Sequence, residues 1–425
     1  DSCMQLTKGA IGNLINRYTA VLKKCHLMNT FGSLAVAGML VMGGAGVAVA
    51  GAAGGTTEPA AKSQIVITNT SENKALTGTY EGYENEKGGV ISVTTGATGV
   101  TITDATFDGN TANFGGAIWN EGTLTVNGGS FEGNTANVAG AIYNAAEATL
   151  TVDGVTFANN SSVNNVAGAI NNRDGKVAIT NSTFTGNDSG TLGGGAIYNA
   201  SGNTGILGTI TITDSTFEGN TAGNGGAVWN GSNGKVEIAD STFKGNTAVA
   251  EGGIGQGGAI TNADQMTITG GSFANNTANY SGGAIYNGAH AAPGQTSLTI
   301  DGTTFTGNSV TADFNTTRND NIAGGAIFND TNAKLDVKNA TFTDNTSSLK
   351  GGAIFNRDGE VTITNSTFKG NSVPKSAGGA VLNESGNTGV LGTITITGST
   401  FEGNTAGNGG AVWNGSNGKV EIADS

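Results

Sequence analysis

The sequence is short of the residues that staple or punctuate most folds. Proline occurs three times, cysteine twice and histidine twice in 425 residues. Glycine is plentiful, at 73, but without proline or a three-residue period it does not describe a collagen triple helix. Cys3 and Cys25 both precede residue 51, so the remainder has no disulfide and no thiolate metal site, as suits a chain exported unfolded. His26 falls in the leader and His290 in an inserted loop, which leaves no basis for a nucleophile triad. Charged residues are only 12% of the chain, and apolar positions recur regularly, which excludes a disordered polar tail. The net charge of −13 repels phosphate backbones and argues against nucleic acid as a partner.

What the sequence has is a repeated phrase. From Val100 onward, a short alternating segment is followed by a turn, a Phe, an Asn three residues later, and then Gly-Gly-Ala-[Ile/Val]-x-Asn. Eleven copies are centred on Phe107, Phe131, Phe157, Phe184, Phe217, Phe243, Phe273, Phe305, Phe342, Phe368 and Phe401. The paired Asn column is Asn110, Asn134, Asn160, Asn187, Asn220, Asn246, Asn276, Asn308, Asn345, Asn371 and Asn404. A second Asn column runs from Asn120 to Asn414. Five residues before each Phe stands Val or Ile, as in Ile102, Val126 and Ile396, and an apolar residue stands two earlier. Period-two alternation over so short a segment is the signature of a half-buried strand.

The tight copies are spaced by 24 to 27 residues, enough for one coil of three short strands and three turns. The sequence therefore predicts an all-β fold: a single-stranded right-handed parallel β-helix of about eleven regular coils plus an imperfect N-terminal coil. Leucine is too sparse, and the helical period too absent, for a leucine-rich horseshoe. The unit is too short for a propeller blade of about 40 residues. Stacked coils should form a column of core Phe and a ladder of Asn amides, with Asn adopting the left-handed turn conformation. Longer spacings reflect insertions at fixed turns: Ala200–Gly208, Thr247–Gly257, Gly288–Ser297, Val310–Ala323 and Glu384–Gly392.

Residues 1–50 read as an export signal, with Lys8, Arg17, Lys23 and Lys24 ahead of an apolar centre at Leu34–Met42. Ala48-Val49-Ala50 fits a small-residue cleavage site, which predicts cleavage between Ala50 and Gly51; an uncleaved membrane anchor is the alternative. Residues 51–64 read as a linker, 65–99 as an imperfect capping coil, and 100–425 as repeats. Ser215–Ser241 and Ser399–Ser425 are identical, and the sequence stops where its own pattern demands another Thr-Phe. The expectation is a fragment of a longer protein, with Met4 as its start.

The pairing of Gly-Gly-Ala-[Ile/Val] with Phe-x-x-Asn resembles the repeat of the chlamydial polymorphic outer membrane proteins. It is also similar to autotransporter passengers with pectate-lyase-like right-handed β-helices. That resemblance implies a passenger displayed at the outer-membrane surface of a Gram-negative bacterium or released from it, often an adhesin. It also implies export machinery and a C-terminal membrane β-barrel. No such barrel is present in this sequence, which has no run of long alternating strands with aromatic girdles.

Polysaccharide lyases and hydrolases share this fold class, so a polysaccharide-active enzyme is one alternative and a structural spacer without its own ligand is another. Enzymatic work would require paired carboxylates or calcium ligands. Acidic residues are instead scattered over turns, as at Asp104, Asp153 and Asp214, and Gly252-Gly253-Ile254-Gly255 lacks the Asp of a calcium nonapeptide. No metal or cofactor is expected. The sharper candidate is a row of aromatics at position x: Trp119, Tyr143, Tyr198, Trp229, Tyr286, Phe328, Phe355 and Trp413, broken only by Asn171, Thr261 and Leu382. If the adjacent Ile points inward, x points outward. An open row suits stacking on sugars or anchoring a host or neighbouring-cell surface protein; the competing expectation is that the rings stack on one another or lie under a turn. The inserted loops, with Phe314 and Arg318 or His290 and Pro293, are the second candidate.

Overall fold

A computed structural model describes residues 62–68, 75–163, 166–200, 205–250, 254–288, 296–311, 322–386, 390–416 and 418–425. The expected export signal, the Ala50–Gly51 cleavage site, and the loop residues His290, Pro293, Phe314 and Arg318 lie outside the described residues. Among those described there is no helix. Every strand pairing is parallel, and the chain winds as a right-handed β-solenoid of about 12 turns.

One coil shows how the repeat becomes structure. Thr123–Asn127 and Ser130–Glu132 both join a 23-stranded sheet, Thr135–Val138 joins a second face, and Ile142–Asn144 joins a 13-stranded sheet. The second face is built as sheets of four and seven strands, linked through single bridges at Asp188. Along Thr123–Asn127 the burial alternates, with Leu124 and Val126 in the core and their neighbours outside. Register is kept from coil to coil, so Phe107 opposes Phe131, Phe131 opposes Phe157, and Ile118 opposes Ile142.

Parallel strands lie about 4.8 Å apart, close to the separation of offset-stacked rings. The eleven Phe rings accordingly stack with centroids 4.5–5.0 Å apart and planes within 2–11°. Ten of them are 0–1% exposed, and only Phe401 is half-buried. Tyr80 extends the column, 5.1 Å from Phe107, and Tyr83 takes the place of the ladder Asn, its backbone N–H donating to Asn110 Oδ1 at 3.0 Å. The capping coil thus replaces Phe-x-x-Asn with Tyr-x-x-Tyr. Ile65–Ile67 pairs with Ile91–Val93 and so belongs to the turn before that coil.

Both Asn columns are continuous. In the first, Asn134 Oδ1 accepts from the Asn110 backbone N–H and Nδ2 at 3.0 and 2.8 Å, while Asn134 Nδ2 donates to Asn160 Oδ1 and to the Phe107 carbonyl. In the second, Asn120 Nδ2 donates to Asn144 Oδ1 at 2.7 Å, and the chain of amides continues to Asn414. Satisfying both ends of each amide lets wholly buried polar groups sit in the core.

The left-handed corners fall elsewhere than expected. No residue of either Asn column has a positive φ. The left-handed residue is the one just before the ladder, as at Gly109 (57°), Asn159 (54°) and Asp344 (53°), and the one three before Phe, as at Asp104 (48°), Gly128 (65°) and Asn181 (50°). Ladder Asn must keep ordinary backbone angles to aim its amide inward, so its neighbour takes the turn. In the Gly-Gly pair, the first residue has positive φ, and a Cβ on the second would overlap a carbonyl oxygen of the next coil, as Gly116 against Gly140 shows.

Candidate functional site

The aromatic row is on the outer side of the 13-stranded sheet, opposite the core-facing Ile or Val column, but it is not open. Trp119, Tyr143, Tyr286, Phe328 and Phe355 are 8%, 4%, 4%, 0% and 0% exposed. Tyr198 and Trp229 are half-buried, and Trp413 is exposed. The expectation of an open outward row is corrected at the five buried rings; there the rings stack on one another under a cover.

The cover is a column the sequence reading did not single out: the residue just before each Gly-Gly pair. Successive members from Gly193 through Asn224, Gln256, Ser281, Ala323 and Lys350 to Ala377 bridge one another in parallel. The corner made by Gly-Gly folds this column back over the row. Phe114 packs edge-on against Trp119 and Tyr143, each at 5.6 Å. Lys87 Nζ lies 4.6 Å from the centre of a Trp119 ring, and Lys350 Nζ lies 5.9 Å from that of Phe355. Ala323 and Ala377 join Tyr286, Phe328, Phe355 and Leu382 in one apolar cluster; Val138, Ala139 and Ala167 join Trp119 and Tyr143 in another. The signal was the long or apolar residue at this position in several copies, which no strand period marks.

Where the cover residue is Gly193, the Trp229 ring takes the space that a Cβ would occupy. Tyr198 and Trp229 lie there, ring centres 5.8 Å apart and tilted by 39°. Burial pushes the Tyr198 phenol above its ordinary range.

A polar bridge crosses the covered part. Arg357 donates to Asp330 Oδ1 through Nε at 2.8 Å and Nη2 at 2.6 Å, and its guanidinium lies 5.5 Å from the Phe328 ring centre. The Tyr286 hydroxyl donates to Asp330 Oδ2. Burial, then the Asp330 charge, hold the Tyr286 phenol well above its usual range. Lys350 and Glu384 pair at 2.6 Å nearby. These charges neutralise one another. Among the described residues there is no group of three or more His, Cys, Asp or Glu that could hold a metal ion, and no helix long and apolar enough to cross a membrane.

A stack of parallel coils with a Phe column, two amide ladders and a covered aromatic flank defines a β-solenoid of the kind found in β-helical passengers. Four segments, 104–121, 214–231, 339–357 and 398–415, match the Chlamydia polymorphic membrane protein (Chlamydia_PMP) repeat. Each segment runs from the corner before Phe through the Gly-Gly pair, so the chain carries that repeat four times on one solenoid. The repeat implies a location at the outer membrane or cell surface. No curated protein and no solved structure matches the chain.

Proposed function

We propose that this chain is the surface-exposed passenger of an autotransporter-type protein and that it acts in adhesion, with a protein or glycan of a host or neighbouring cell as its partner. The observation that carries this reading is the polymorphic membrane protein repeat on an uninterrupted solenoid. The basic and apolar leader supports export. Delivery would use the export machinery and a membrane β-barrel outside this sequence. The test removes the gene segment from the bacterium and measures attachment to host cells, with protease treatment of intact bacteria as the exposure control. Loss of attachment together with protease cleavage on intact cells supports the proposal; unchanged attachment contradicts adhesion, and protection from protease contradicts surface display.

A second reading is favoured by the five covered rings: a spacer that holds another domain away from the membrane. It predicts that a solenoid shortened by whole coils still supports attachment when the distal domain is kept.

A further inference from the structure

Each coil hands three backbone N–H groups to carbonyls of the next. Asp108 accepts from Gly82 at 3.1 Å, Phe114 from Gly88 at 2.8 Å and Gly115 from Gly89 at 3.2 Å; one coil on, Glu132, Val138 and Ala139 accept in the same way. By register these columns begin at Glu81 and Lys87, with Gly88 next in the chain. Among the described residues no coil precedes those three carbonyls, and side chains serve them instead. Lys62 Nζ donates to the Glu81 carbonyl at 2.6 Å and lies 5.3 Å from the centre of the Tyr83 ring. Gln64 Nε2 donates to both the Lys87 and the Gly88 carbonyls. One carboxamide thus replaces the two amides of a Gly-Gly pair, and an ammonium replaces a third. The ring column ends at the same face. Tyr80 stacks on Phe107 but is only half-buried, and Tyr83 meets it tilted by 60° rather than stacked. The edge is half a coil long, because Ile65–Ile67 already fills the strand position that follows a Gly-Gly pair.

We propose that this half-coil is a docking edge for one repeat segment of a second copy, running from Phe to Gly-Gly, and that Lys62 and Gln64 are the plug that closes it. The occupant follows from the repeat itself, which carries a ring and three amides at the spacing the edge requires. An incoming Phe would stack on Tyr80, the residue before its ladder Asn would donate to Glu81, and its Gly-Gly pair would donate to Lys87 and Gly88. Strand edges with unpaired groups template such additions, and lysine is a common means of blocking them. The exposed Glu84 and Glu86 on the edge strand Glu84–Lys87 add charge to the same end. The plug therefore keeps a chain built from interchangeable repeats from pairing with its own copies. Pairing between copies is separate from adhesion and does not depend on it.

The test uses the full chain, its Gln64→Leu variant and the double variant Lys62→Met with Gln64→Leu. The probe is a fluorescent peptide of residues 216–226, read by anisotropy, with hydrogen exchange at Ile91–Val93 following the first coil in the same samples. The plug predicts weak binding by the parent, binding at least tenfold tighter by the double variant, and an intermediate affinity for Gln64→Leu. Binding should fall at least tenfold when the peptide carries Gly226→Val. A Cβ there would strike the Gly89 carbonyl, as it would the Gly258 carbonyl inside the solenoid. Binding by the parent as tight as by the double variant overturns the plug. Absence of binding by both variants overturns the docking edge, whether or not the first coil keeps its exchange protection. Binding indifferent to Gly226→Val is non-specific and overturns it too.

Discussion

Ala139 and Ala167 stand where every other copy has the first Gly of the Gly-Gly pair, and both adopt the left-handed backbone, at φ 61° and 63°. A Cβ there carries strain of about 1–2 kcal/mol, partly offset by the greater freedom of Gly in the unfolded chain. Ala139→Gly should therefore raise stability by up to about 1 kcal/mol in urea unfolding. Gly140→Ala should do the opposite and cost about 3 kcal/mol or more, because its Cβ would strike the Gly168 carbonyl of the next coil. Tyr286 supplies a pH signature. Its phenol is raised above the unfolded value of about 10, so its contribution is full below that pH and declines as pH rises above it, where the unfolded chain ionises first. Tyr286→Phe should flatten the alkaline fall in stability above about pH 10. The Phe and Asn positions were legible because they never vary. The left-handed positions were harder to read, since Gly, Asn and Asp alternate there and only their shared tolerance of positive φ unites them.

Elements here gain their stability from the neighbouring coil. Asn220→Leu removes an acceptor for the Asn187 backbone and side-chain donors, and a donor to Asn246 and the Phe184 carbonyl. With several buried groups left unpaired, the expected loss is about 4 kcal/mol or more. Phe217→Ala leaves a gap in a stack of rings and should cost about 3–5 kcal/mol. Paired denaturation curves should rank both well above substitutions of the outward Thr211. Strand alternation around Ile212 and the inward Ile197 could be read from spacing alone. The cover over the aromatic row could not, because it joins two faces of the coil through residues as different as Phe114, Gly193, Gln256 and Lys350. Their common role is a matter of packing, not period.

At the scale of the molecule, about 12 coils at roughly 4.8 Å each give a solenoid unit some 58 Å long. Each coil is stabilised chiefly by its two neighbours, so unfolding need not be all-or-none. If residues 1–50 act as the export signal that their basic and apolar pattern suggests, N-terminal sequencing of the exported form should begin at Gly51. Adhesion is the claim on which the functional account turns. The direct measurement is attachment of beads coated with the purified full chain to host cells, with free chain as competitor. The account predicts saturable attachment that the free chain displaces; attachment no greater than that of bare beads would contradict it.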